Sequence, residues 1–340
     1  MIKLFQIEIP VQDVAEVHLF PILKKVNQVR EALINHYGFV NSIEECDYIF
    51  LPLSIEYLFS NNVSHYINSG IKLAAQYNKK VLIFTGGDFG TTIKNKHIIT
   101  VRLGGFKSKQ FGQTFIMSPF IEDPYLKLNH PFKVTEKQSK PLIGFVGHSN
   151  SGFIKLCKEF LIFIKAQLFR ILKKDCTDFQ NFYPSSHFRA KYLMLIQKSP
   201  EIKANFVFRK KYRAGATTSE SRKTTSEEFY SNIFETQYTF CMRGSGNFSV
   251  RFYETLAMGR IPVLLNTDCD LPFVNQINWK EHCLIIEAKE VKQIDVKILQ
   301  FHETTSEKRL EEIQIENREL WKNYFQKDHF FIKLYQELKI

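Results

Sequence analysis

Residues 241–266 read CMRGSGNFSVRFYETLAMGRIPVLLN, and this stretch gathers the residue types that bind phosphate. An apolar run ends at Arg243, a Gly244-Ser245-Gly246-Asn247 loop follows, and Ser249 stands where a helix N-cap belongs. Gly259 and Pro262 then close the helical run, as a C′ glycine and the opening of the next strand. A strand, a glycine loop and a helix N-terminus aim backbone N–H groups and a positive dipole end at one point, where an anion is stabilised. Arg243, at the entrance of the loop, adds a bidentate and permanently charged donor. Arg251 and Glu254 lie three residues apart on one helix face, which makes either an intrahelical ion pair or two ligand contacts. The loop lacks the third glycine of the dinucleotide fingerprint and the GK[ST] of a P-loop, so neither cofactor class is indicated.

Other residues end strands where chemistry is usually placed. Asp88 in TGGDFG sits in a glycine-rich loop, where it is either a general base or a turn residue. Gly147, His148 and Ser149 in GFVGHSNSG follow another strand and either reach a ligand or form a tight turn. Arg209 in NFVFRKKYRAG can add to phosphate-binding charge. Asp268 and Asp270 in NTDCDLP read as turn formers, His65 fits a helix face, and Asp47 a strand start. The six cysteines form no CxxC pair and read as reduced, buried hydrophobes. The ten histidines show no HExxH, and a dedicated metal site is not expected.

Positioning these residues requires a regular scaffold. Strand patterns fall at 2–10, 47–53, 80–86, 97–103 and 114–120, with helical spacing at 23–37 and 64–78. Residues 125–140 are polar, irregular and proline-containing, which reads as a linker between a first domain, 1–124, and a second, 141–303. The second domain restarts with a strand at 141–147 and a long apolar-rich helix over 153–173. Strands at 205–210, 238–244, 261–266 and 282–288 alternate with helices at 226–235 and 249–258. Alternating strands and helices imply parallel sheets with crossover helices, hence two doubly wound α/β domains facing a cleft. Residues 304–340 read as a C-terminal helical segment, with Thr304 and Glu307 as its capping box, packed to brace the domains.

The run CMRGSGNFSVRFYETLAMGRIPVLLNTDCDLPF, 241–273, closely resembles the signature of the exostosin-like glycosyltransferases. It carries Arg-Gly-x-Gly-Asn, Ser-x-Arg-x-x-Glu and Gly-x-Ile-Pro-Val without a gap. More loosely, ECDYIFLPL, KVLIFTGGDFG and IGFVGHSNSG resemble blocks of the same family in the same order. The resemblance implies a GT-B fold and an inverting, metal-independent transfer from a nucleotide-diphosphate sugar, UDP-linked in most relatives, to a saccharide or glycan acceptor. It gives Arg243 to the diphosphate, with Gly244, Ser245 and Gly246 allowing close backbone approach. It gives Glu254 to the ribose, and Asp88 to the role of base. Gly87 stands where many relatives carry histidine.

A net charge of +11 is compatible with an acidic substrate, an anionic membrane surface or nucleic acid. Nucleic-acid binding would leave Glu254 and the gapless signature without a purpose, and no RNP strand or zinc finger accompanies the charge. A saccharide-binding protein without turnover differs only at the base. The start MIKLFQIEIPVQDV lacks a signal-peptide h-region, so a cytoplasmic chain is expected, docked through its positive surface beside a lipid-linked acceptor.

Overall fold

The computed structural model describes residues 1–11, 13–23 and 32–339. The expected helix at 23–37 falls mostly on residues 24–31, outside the described residues, and its last position, Tyr37, opens a strand instead. The first sheet is built from β1 (Ile2–Gln6), β2 (Tyr37–Phe39), β3 (Tyr48–Ser54), β4 (Lys80–Thr85), β5 (Ile98–Arg102) and β6 (Gln113–Ile116). Its order is β2-β1-β3-β4-β5-β6, every pair parallel. The second sheet holds β7 (Leu142–His148), β8 (Lys203–Arg209), β9 (Tyr238–Cys241), β10 (Ile261–Asn266) and β11 (Leu284–Glu287). Its order is β11-β10-β9-β7-β8, again all parallel.

The central strands are buried on both faces, which is why VLIF in β4 and IITV in β5 are continuous apolar runs without alternation. Pro52 sits inside buried β3, where its missing N–H would break the ladder. The pairing with β4 shifts register between Phe50 and Ser54, so the proline falls at that irregularity.

Helices cover the sheets: α1 (Ile55–Ser60), α2 (His65–Gln76), α3 (Pro124–Leu128), α4 (Phe153–Ile171), α5 (Ser185–Gln197), α6 (Ser219–Glu235), α7 (Val250–Ala257), α8 (Trp279–His282), α9 (Ile294–Thr304), α10 (Glu307–Leu320) and α11 (Lys327–Leu338). The irregular stretch after residue 124 begins with α3, which periodicity cannot reveal at five residues. The Asp123 carboxylate accepts from Tyr125 N at 3.0 Å, Pro124 opens the turn, and Asn129 closes it at φ 53°. The expected Thr304–Glu307 box is displaced: Thr304 ends α9, and Ser306 caps α10 by accepting from Arg309 N at 3.1 Å.

Two apolar clusters pack the faces of the individual sheets, and a third joins the two halves. In the joint cluster Leu4, Phe50 and Leu82 of the first sheet meet Phe252 and Tyr253 of α7, and Trp321, Phe325, Phe330 and Phe331 of the C-terminal segment. Tyr37 and Tyr48 donate to the carbonyls of Phe331 and Leu338 at 2.7 and 2.5 Å, so α11 runs back onto the first sheet. Two Rossmann-like parallel sheets with covering helices, closed by this segment, form a GT-B architecture.

Candidate active site

The carboxyl ends of β7 and β9 collect three arginines. Arg243 follows β9 and is 3% exposed, with its guanidinium 4.7 Å from the Tyr183 ring and 5.0 Å from the Phe106 ring. Its Nη2 donates to Ser245 O at 2.7 Å and to Gln180 Oε1 at 3.3 Å. Arg189, from α5, donates to His148 O at 2.7 Å and to Arg243 O at 3.2 Å. Arg251, in the first turn of α7, donates to Val146 O at 2.7 Å and lies 4.1 Å over the Phe145 ring. Gly147 makes that reach possible, because a Cβ there would stand 2.8 Å from the Arg251 Nη2.

These guanidiniums rest mainly on backbone carbonyls. Arg189 and Arg243 make no ion pair with a carboxylate among the described residues, and the Nε of all three is buried without an acceptor. Burial lowers the pKa of each; for Arg189 it falls to about 10, with the Arg251 charge as the second cause. Ser149 Oγ, Tyr183 OH and His187 Nδ1 are also buried without partners. Buried cations are ordinarily paired, because desolvation is costly. A group of them set on carbonyls with N–H donors to spare has the chemistry an anion requires.

The Gly244–Phe248 loop is pinned to both halves of the molecule. Asn247 is 1% exposed, and its Nδ2 donates to Gly105 O, Thr267 O and Asp268 O at 3.0, 3.0 and 2.9 Å. Its amide is thus spent on holding the loop. Beside Gly244 there is open space, whereas a Cβ on Gly246 would fall well inside contact distance of the Asp88 carbonyl oxygen. Ser249 takes the N-cap position of α7 with its side chain making no cap hydrogen bond. Glu254 accepts from the Tyr230 hydroxyl at 3.3 Å. Burial, then the charges of Lys155 and Arg189, pull the His148 imidazole below the ordinary histidine value, and its carbonyl serves Arg189. Arg209 is ion-paired with Glu228 and donates to Thr225 O at 2.9 Å.

Asp88 is exposed in a turn after β4, across from Gly246. Two residues brace this turn. Glu56 accepts from the hydroxyls of Thr85 and Thr91 and from Gly86 N. Arg102 lies against Gly90 and donates to Phe89 O at 2.8 Å, to Thr92 Oγ1 at 3.0 Å and to the Asp178 carboxylate at 3.1 Å. Asp178 also accepts from Thr92 N at 2.8 Å, so the segment preceding α5 straps the second half to the Asp88 turn.

Arg189, Tyr183, Glu56, Arg102 and Asp178 are the residues the sequence analysis passed over. Arg189 lies in SSHFRAKYLMLIQ, a helix whose weak amphipathic pattern gave no reason to single it out. The structure gives the lesser candidates packing tasks: Asp47 accepts from Lys3 N at 2.7 Å, and the His65 ring lies 4.3 Å from that of Tyr66. Asp268 turns at φ 66° and accepts from the Ser108 hydroxyl at 2.5 Å, bridging the halves, while burial raises the pKa of Asp270. Cys46, Cys241 and Cys283 are buried, but Cys157 is exposed and Cys176 and Cys269 are half-buried, which corrects the reading of all six as core. Among the described residues no three His, Cys, Asp or Glu side chains cluster to hold a metal ion.

Residues 185–301 match the Exostosin GT47 domain model. The chain is 31% identical over 67 residues to a Probable glucuronosyltransferase of Oryza sativa subsp. japonica, a stretch covering 20% of this chain and 16% of that protein. It is 32% identical over 89 residues to Exostosin-1 of Bos taurus, covering 26% of this chain and 11% of the relative. The match thus spans a small part of these longer relatives. A glycosyltransferase from Rickettsia africae ESF-5 aligns over 99% of this chain and 98% of its own at 12% identity, with a TM-score of 0.36. The family match holds Arg189, Arg243, Arg251 and Glu254, and leaves the Asp88 turn outside it. Residues 185–301 are thus similar in sequence to the exostosin domain of these glycosyltransferases.

Proposed function

We propose that this glycosyltransferase moves a sugar, with inversion, from a nucleotide diphosphate, UDP in first preference, to a saccharide acceptor. The observation that carries the reading is the arginine group: Arg189 and Arg243 are set on carbonyls, with buried Nε donors left over. In the transfer the bond between the anomeric carbon and the diphosphate oxygen breaks as the acceptor oxygen attacks from the opposite face. Negative charge grows on the diphosphate, and fixed guanidiniums stabilise it without reorganising. Arg243 and Arg189 hold that charge, with the open space beside Gly244 giving the phosphates access to backbone N–H groups. Glu254 takes the ribose hydroxyls from α7. Asp88 accepts the acceptor proton from the other half, steadied by the Glu56 and Arg102 contacts to its turn.

The test is thermal denaturation with UDP, GDP, CDP and ADP, with and without divalent cation, on wild type and Arg243→Ala. One diphosphate raising the wild-type midpoint, with no rise in the variant, supports the reading and identifies the base. No rise with any of the four overturns it.

A further inference from the structure

Helix α4 (Phe153–Ile171) is turned inside out. Its protein-facing stripe runs through Leu156, Glu159, Phe163, Ala166, Gln167 and Arg170, half of it polar or charged, and only Arg170 is buried. The apolar residues point outward: Phe153, Ile154, Leu161, Ile162, Leu168 and Ile171 are between 51% and 77% exposed. A helix with this much apolar surface is normally covered, and a patch of this kind in water marks an interaction surface.

The charges beside it say what covers it. Lys158, Lys165, Lys173 and Lys174 are exposed and form no ion pair among the described residues. The nearby acids are taken: Glu159 by Lys155 at 3.4 Å and Asp175 by Arg170 at 3.7 Å. Lys158 and Lys165 rise from the outer face itself, and Lys173 and Lys174 follow its C-terminal end. An apolar face carrying lysines whose stems snorkel is complementary to one kind of surface, anionic headgroups over acyl chains. No helix among the described residues is long and apolar enough to cross a membrane.

We infer that α4 lies in the interface of an anionic bilayer, with its outer apolar side chains at the acyl boundary and its lysines snorkelling to the headgroups. The helix adjoins the candidate active site. The Arg170 guanidinium sits 4.9 Å over the Phe89 ring, next to Asp88. Gln167 donates to Gln180 O at 2.7 Å, and the Gln180 side chain accepts from Arg243. A membrane contact here sets the mouth between the halves against the bilayer. Resting on the glycosyltransferase reading, it makes the acceptor a lipid-borne glycan.

The experiment is flotation of the full chain with vesicles of phosphatidylcholine alone and of phosphatidylcholine with 30 mol% phosphatidylglycerol. Wild type is expected to float with the anionic vesicles and to bind the neutral ones at least tenfold less. The triple variant Leu161→Glu, Ile164→Glu, Leu168→Glu is expected to stay in the soluble fraction, with an unchanged melting temperature and an unchanged nucleotide response. Wild type left unbound by anionic vesicles, or a variant that floats as well as wild type, overturns the inference. So does a dimer in sedimentation velocity that the same substitutions dissolve without any vesicle binding, since the cover is then a second copy. Nucleotide binding is read separately, so loss of the donor reading and loss of the membrane contact are distinguishable.

Discussion

Arg189 and Arg243 have the same physical predicament, a guanidinium held in the interior by carbonyls. A charge-assisted hydrogen bond contributes about 1.5–3 kcal/mol, so Arg189→Ala or Arg243→Ala is expected to weaken nucleotide-diphosphate binding roughly ten- to a hundredfold in calorimetry. Arg243→Lys should not restore it, because a lysine cannot reproduce the forked geometry between Tyr183 and Phe106. Asp88 tests a different step. Asp88→Asn is expected to leave nucleotide affinity unchanged and to lower kcat by about two to four orders of magnitude, the range for loss of a general base. Equal loss of both would place Asp88 in donor binding instead.

Within elements, a loop and a helix each carry a consequence. Gly246 packs on the Asp88 carbonyl, so Gly246→Ala must push the Gly244–Phe248 loop from the Asp88 turn. Overpacking of this kind costs about 1–3 kcal/mol, and the variant should melt lower in thermal denaturation. On α9, His302 is 3% exposed, accepts or donates through Nδ1 to the Tyr238 hydroxyl at 2.9 Å, and meets Gln138 O through Nε2 at 2.8 Å. Burial lowers its pKa below the ordinary histidine value. Between that lowered value and about 6.5 the unfolded chain binds more protons than the folded one, so stability rises with pH and falls on acidification. The melting temperature should drop as pH falls below about 6.5, and His302→Gln should make that part of the profile shallower.

At the scale of the whole molecule, the C-terminal segment determines whether the two sheets behave as one body. Arg318 on α10 forms a two-pronged ion pair with Asp123 and donates to Ala257 O at 2.6 Å, joining the entrance of α3 to the end of α7. Breaking a buried pair by removing one partner costs about 3–5 kcal/mol, so Asp123→Ala should lower the unfolding midpoint substantially. Because Leu4 and Phe50 share a cluster with Phe252 and Phe331, unfolding of wild type should follow one transition by both fluorescence and circular dichroism. Two separated transitions would show that the joint cluster does not couple the halves.

Much of the scaffold was legible in the sequence because it is local. Unbroken apolar runs mark β4, β5 and β10 as buried parallel strands, and the sequence Arg-Gly-Ser-Gly-Asn followed by Ser249 marks a strand, a turn and a helix start over a few residues. What escaped it depends on contacts between residues far apart. Arg189 becomes notable only when α5 carries it to the His148 and Arg243 carbonyls. Arg209 finds its carboxylate partner, Glu228, only when α6 packs beside β8. Asn247 shows its task only against Gly105, 142 positions away. The sequence alone determined the parallel sheets, the strand-turn-helix around Gly244 and the resemblance to the exostosin domain. Tertiary structure decided which arginines stand without a carboxylate and which face of α4 meets the outside, because pairing and burial are properties of neighbours in space and not of spacing along the chain.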